Sequence, residues 1–60
     1  MYLLRRTDQG GGYVSESGSK SSYTHSVERA RKFRTIEDAE NNRCVENEII
    51  INRYTMKREG

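Results

Sequence analysis

Ile49, Ile50 and Ile51 stand side by side within residues 46–54, and this triplet constrains the fold more than any other feature of the chain. Side chains alternate across a strand, so three consecutive isoleucines cannot all face one side of a sheet. The strand is therefore either central and covered on both faces, or it presents Ile50 to a partner. The rest of the chain supplies little with which to cover it: 32% of the 60 residues are hydrophobic. A composition this poor in Leu, Ile, Val and Phe would signal disorder if the net charge were high, but the net charge is only +2. The expected molecule is one small domain with a shallow core, completed by a partner or a second copy.

Around the triplet, local signals place the other elements. Residues 2–6, Tyr-Leu-Leu-Arg-Arg, read as a first strand running into Gly10, Gly11 and Gly12, with Tyr13 and Val14 returning as a hairpin. Residues 15–22 are polar and serine-rich and read as a mobile surface loop. Tyr23, Thr24 and His25 add a few extended residues, and Ser26 or Thr24 caps a helical turn that places Val27 and Ala30 on one face. Residues 31–34 set Phe33 among cations, as a half-exposed strand or extended link. Thr35, with Glu37 and Asp38 behind it, gives an N-cap hydroxyl followed by carboxylates where the helix dipole favours negative charge, so a helix of about two turns starts at Ile36 and ends near Asn41, Asn42 and Arg43. Residues 56–60 read as a frayed charged tail.

The fold class that follows is α+β, ββαβ-like, with a small antiparallel sheet packed against one principal short helix. The expected core is Leu3 or Leu4, Val14, Val27, Ala30, Phe33, Ile36, Ala39, Ile49 and Ile51. Single-domain organisation covers residues 1–60.

Catalytic chemistry finds few candidates. His25 and Cys44 are the single histidine and the single cysteine; a pair of that kind needs a third group and an enclosed pocket. The expected reading is a surface histidine, a partly buried cysteine closing the helix, no enzyme activity, no cofactor and no cysteine-based metal site. The lone cysteine fits a reducing compartment, and the absence of a long apolar run gives neither a membrane span nor a signal peptide; a cytoplasmic location is expected. The glycines do not form a phosphate loop, because Gly12 and Gly18 flank five residues and no glycine adjoins Lys20.

Two binding sites compete. For nucleic acid, Arg29, Arg31, Lys32 and Arg34 with Tyr13 and Tyr23 supply the cations and aromatic faces that single strands use. Against it, Glu28 interrupts the cluster, and residues 35–60 carry more acids than bases. For a protein partner, Ile50 and Tyr54 on the last strand, with Ser19 and Lys20 in the serine-rich loop, form the candidate surface. Self-association through the unprotected last strand, giving a homodimer, is compatible with either.

Residues 33–40 resemble the strand-to-helix junction of RNA-recognition motifs, but the aromatic run that precedes it in those domains is missing, so the likeness reduces to a strand end handed to a capped helix. A wider resemblance covers residues 2–52. Tyr13-Val14, Gly18-Ser19-Lys20-Ser21-Ser22-Tyr23-Thr24, the Ala30-Arg31-Lys32-Phe33 run with Thr35, Ala39 and Glu40, and Cys44 together resemble small accessory proteins of bacteriophages and prophages. That resemblance implies a mobile-element origin, a host cytoplasmic location and a non-catalytic protein that binds a host macromolecule, such as a host or defence enzyme that it inhibits. It carries no active site over to these residues.

Overall fold

The computed structural model describes residues 1–59. In it the isoleucine triplet lies in strand β4 (Glu48–Asn52), between β1 (Tyr2–Arg6) and β5 (Arg58–Glu59). Two further short strands, β2 (Tyr13–Val14) and β3 (Tyr23–Thr24), complete a five-stranded antiparallel sheet in the order β3-β2-β1-β4-β5. One helix, α1 (Ile36–Asn42), packs on it. The molecule is thus a small α+β domain, with more strands than the ββαβ pattern expected.

The register of β1 on β4 explains how a thin chain covers three isoleucines. Leu4 lies opposite Ile50 and Leu3 opposite Ile51, so the pleat sends one pair to each face. On the helix face, Leu4 and Ile50 pack with Phe33 and Ala39, flanked by Tyr2 and Val14. On the other face, Leu3 and Ile51 pack with Ala30, flanked by Tyr13, Val27 and Ile49. The first alternative of the sequence reading therefore holds, and Ile50 is a core residue at 3% exposure. It is not available as a partner-contact residue, which corrects that part of the candidate surface. Ile50 and Ile51 are paired on both sides, since β1 pairs along all of β4 and β5 pairs with these two residues. Ile50 and Ile51 therefore offer no open edge to a second copy.

The second face is covered by a segment with little regular structure. β1 and β2 pair at Arg5 and Tyr13 and then diverge, and residues 29–33 bridge the opening. Ala30 pairs with Ser15 and Phe33 with Tyr2, the latter through reciprocal 2.8 Å backbone bonds. The extended link expected at residues 31–34 is this bridge. The turn before it is built as the sequence suggested: the Thr24 hydroxyl accepts from the Ser26 N–H, and Ser26 accepts from Arg29.

The helix starts where the cap predicts. Thr35 is extended and its Oγ1 accepts from the Asp38 N–H at 3.0 Å. With seven residues the helix buries one side chain deeply, Ala39, and Ile36 stands 39% exposed; the expected two-residue stripe is corrected to one. Cys44, beyond the last turn, is exposed rather than partly buried.

Within the expected frayed tail of residues 56–60, Arg58 and Glu59 instead form strand β5, and Gly60 lies outside the described residues. Asn52 Oδ1 accepts from the N–H groups of Tyr54 and Thr55 at 2.8 and 3.1 Å, and the Met56 N–H reaches the Asn52 carbonyl. This side-chain turn reverses the chain and lays Arg58 and Glu59 against Ile51 and Ile50. In the first hairpin, Gly12 has φ of +98°, and a Cβ there would stand 3.3 Å from the Thr24 carbonyl oxygen. That position needs glycine both for its backbone angle and for the approach of β3.

Candidate functional site

The strand directions sort the loops to two ends of the sheet. The glycine turn between β1 and β2 and the entry to β4 lie at one end, where Thr7 donates to the Asn47 carbonyl. The loop between β2 and β3, the Asn52 turn and the start of the helix lie at the other. This second end gathers the features that have no role in the core.

Met1, Ile36, Tyr54 and Met56, four of the five exposed large hydrophobic residues, belong to it. The Met1 carbonyl accepts from the Arg53 N–H, Tyr2 lies opposite Asn52, and Phe33, paired with Tyr2, leads into the helix at Ile36. Tyr54 is 76% exposed at the tip of the Asn52 turn, and Met56 in the same turn has a left-handed φ of 58°. Arg53 and Lys57 flank these two side chains, and no acid interrupts residues 53–58. The fifth exposed hydrophobic, Val45, follows the helix at the opposite end.

Ser19 and Lys20 share this end, at the other edge of the sheet. There the β2–β3 loop folds over a groove of about 310 Å³, lined by Ser15, Ser19, Lys20, Ser21, Thr24 and Arg29, with Tyr23 as a wall. The loop is held at its base: Ser15 is buried and donates to the Ser22 carbonyl, Glu16 donates to the Arg29 carbonyl, and Ser19 donates back to Glu16 across a turn at Gly18. The surface loop expected at residues 15–22 thus begins one residue later, after a buried Ser15.

The expected nucleic-acid residues are divided. Tyr13 and Tyr23 lie on opposite faces of the sheet, since Tyr13 pairs with Thr24 and Tyr23 with Val14, so the two rings do not make one stacking platform. Arg31 covers the Phe33 ring at 5.0 Å. Lys32 donates to the Glu28 carbonyl and lies 4.0 Å from Glu16. Arg34 is exposed, and Arg29 turns up in the groove beside Lys20. Residues that the sequence placed in two rival sites therefore meet in one.

Sequence reasoning missed a polar network behind the groove. Glu48 is buried at 6% exposure. One carboxylate oxygen accepts from the Tyr23 hydroxyl at 2.5 Å and the other from the Cys44 N–H at 2.8 Å. Arg6 lies over the Tyr23 ring at 4.5 Å and reaches Asp8 and Gln9. The hydrogen bond to Glu48, with burial and the nearby negative charge adding to it, raises the Tyr23 hydroxyl above the ordinary tyrosine pKa. This network ties β3 to β4 across the helix face of the sheet.

His25 and Cys44 are both exposed, and neither lines the groove. No helix among the described residues is long and apolar enough to cross a membrane. Comparison with protein-family models, with curated proteins and with solved structures gave no match.

Proposed function

We propose that this chain is a small non-catalytic binding module, an accessory protein of the phage or mobile-element kind, that docks on a host protein through the end of the sheet carrying Tyr54 and inhibits the enzyme it binds. The observation that carries this reading is the concentration of exposed apolar side chains, Met1, Ile36, Tyr54 and Met56, at that one end. A domain that completes its core on both faces of the sheet within one chain has no internal use for them. Aromatic and methionine side chains on a rigid turn are the residue types that anchor protein interfaces. Arg53 and Lys57 beside them favour a partner whose apolar patch has an acidic rim.

The nucleic-acid reading has less support, because Arg31 and Lys32 are engaged within the chain and the two tyrosines face apart.

The test compares capture from a bacterial host lysate by immobilised wild-type chain and by a Tyr54→Asp/Met56→Asp variant with an unchanged circular dichroism spectrum. Stoichiometric recovery of one protein by the wild type, displaced by free wild-type chain and lost in the variant, is expected. Equal recovery by the folded variant would remove the Tyr54 end from the interface.

A further inference from the structure

We infer that the groove between the β2–β3 loop and Arg29 is a binding site for the phosphate group of a mononucleotide-sized ligand. The inference stands apart from the protein-docking reading, because it uses none of the residues of the Asn52 turn.

Two cations line the groove, and no carboxylate does. Several other basic side chains of the domain are already engaged: Arg6 with Asp8, Arg43 with Glu40, Lys32 beside Glu16, and Arg31 over Phe33. Neither Lys20 nor Arg29 makes an ion pair or a side-chain hydrogen bond within the described residues. Arg5, Arg34, Arg53, Lys57 and Arg58 are likewise without an ion pair among the described residues, but the first four line neither groove and Arg58 lies beside Glu40 and Glu59, whereas Lys20 and Arg29 line one concavity together. Glu16, the one carboxylate within the loop, does not line the groove and lies 4.0 Å from Lys32. The second, much smaller cleft, of about 20 Å³, has Glu40 and Glu59 against Arg43 and Arg58. Its cations are thus matched by acids, and those of the groove are not.

The remaining lining fits a tetrahedral oxyanion. Ser15, Ser19, Ser21 and Thr24 also line the groove, and a serine or threonine hydroxyl can donate to an acceptor oxygen. A phosphate group presents several acceptor oxygens and more than one negative charge, so two cations with hydroxyl-bearing neighbours suit it better than a planar carboxylate with two oxygens. The groove, of about 310 Å³, falls at the small end of ligand clefts, which begin near ~300 Å³, and has room for a phosphate group with a substituent of up to about mononucleotide size. The site is built in advance of any ligand. Its loop is tied at Ser15 and Glu16, and the backbone at Arg29 is held by the Ser26 turn.

The experiment is an amide NMR titration of the full chain with adenosine monophosphate, inorganic phosphate, adenosine and a single-stranded oligonucleotide, in low salt. Adenosine monophosphate is expected to shift the amides of residues 15–24 and Arg29 in a saturable way, inorganic phosphate to shift the same amides more weakly, and adenosine to shift none. Lys20→Ala and Arg29→Ala, each with an otherwise unchanged spectrum, are expected to weaken binding by about tenfold or more, as loss of a charge-assisted hydrogen bond does. Lys20→Arg is expected to retain it, and Tyr54→Asp/Met56→Asp to leave it unaltered. Equal shifts with adenosine, no saturable shift with adenosine monophosphate, or oligonucleotide binding whose shifts spread over Arg31, Lys32 and Arg34 instead of the groove would each overturn the inference.

Discussion

Replacing Ile50 with alanine separates an internal β4 from a β4 that offers its apolar side chain to a partner. Ile50 is 3% exposed, packs with Leu4, Phe33 and Ala39, and sits on a strand paired on both sides. Neighbouring strands limit collapse into the space left by the missing atoms, so the cost lies within the ~2–5 kcal/mol typical of such truncations. A value of about 3 kcal/mol is most of the ~3–5 kcal/mol that one core supplies in a domain of this size. It lowers the folded-to-unfolded ratio by about a hundredfold. Ile50→Val, at about 1 kcal/mol, keeps the domain measurable. With a urea dependence near ~1 kcal/mol per molar for a small protein, the valine variant should unfold about 1 M earlier than wild type. The assay is urea unfolding followed by far-UV circular dichroism, with Tyr54→Ala as the surface control, expected within about 0.5 kcal/mol of wild type. An Ile50→Ala protein with the wild-type midpoint would refute the two-faced core and return Ile50 to the surface.

Two further outcomes follow from the caps and the polar network. Thr35→Ala removes the hydroxyl that accepts from Asp38 and should cost about 1 kcal/mol, read as a melting temperature about 4–8 °C lower. Tyr23→Phe leaves the Glu48 carboxylate with the Cys44 N–H and no hydroxyl and should cost about 1–3 kcal/mol at neutral pH. It should also change the alkaline limb of stability. Because the folded state holds the Tyr23 proton more tightly than the unfolded chain, that contribution is complete below the ordinary tyrosine value of 10.0 and is lost as pH rises through the higher folded value. The difference in unfolding free energy between wild type and Tyr23→Phe should therefore shrink above that pH, and a difference that stays constant would show that the network does not set the Tyr23 titration.

Elements with local chemistry were legible in the chain. The Thr35 cap with its acidic first turn located the helix and the glycine run located the first hairpin, while the isoleucine triplet located a strand but left open whether Ile50 was covered or offered to a partner, a choice that the pairing with β1 and β5 decides. What was missed depends on contacts distant in sequence. β5 is a two-residue strand of Arg and Glu with no apolar pattern; the readable signal was Asn52, whose side chain builds the turn that returns it. Glu48 is buried because Tyr23, 25 residues away, donates to it, and nothing in its neighbourhood distinguishes it from exposed Glu46. Ile36 was expected inside because it shares a helix face with Ala39, but a helix of seven residues presents only one residue deeply to the sheet. The candidate site was split for the same reason. Lys20 belongs to a loop and Arg29 to a turn, and only the bridge of residues 29–33 to Ser15 and Tyr2 brings them to one groove.

The docking claim is tested most directly by placing a photo-crosslinking amino acid at position 54 in one preparation and at position 45 in another, and irradiating each in host lysate. Both positions are exposed and apolar, at opposite ends of the sheet. The account predicts one dominant protein adduct from position 54, suppressed by excess wild-type chain but not by the Tyr54→Asp/Met56→Asp chain, and no matching adduct from position 45. Absence of a competed adduct at position 54, or the same adduct at equal yield from position 45, would contradict it.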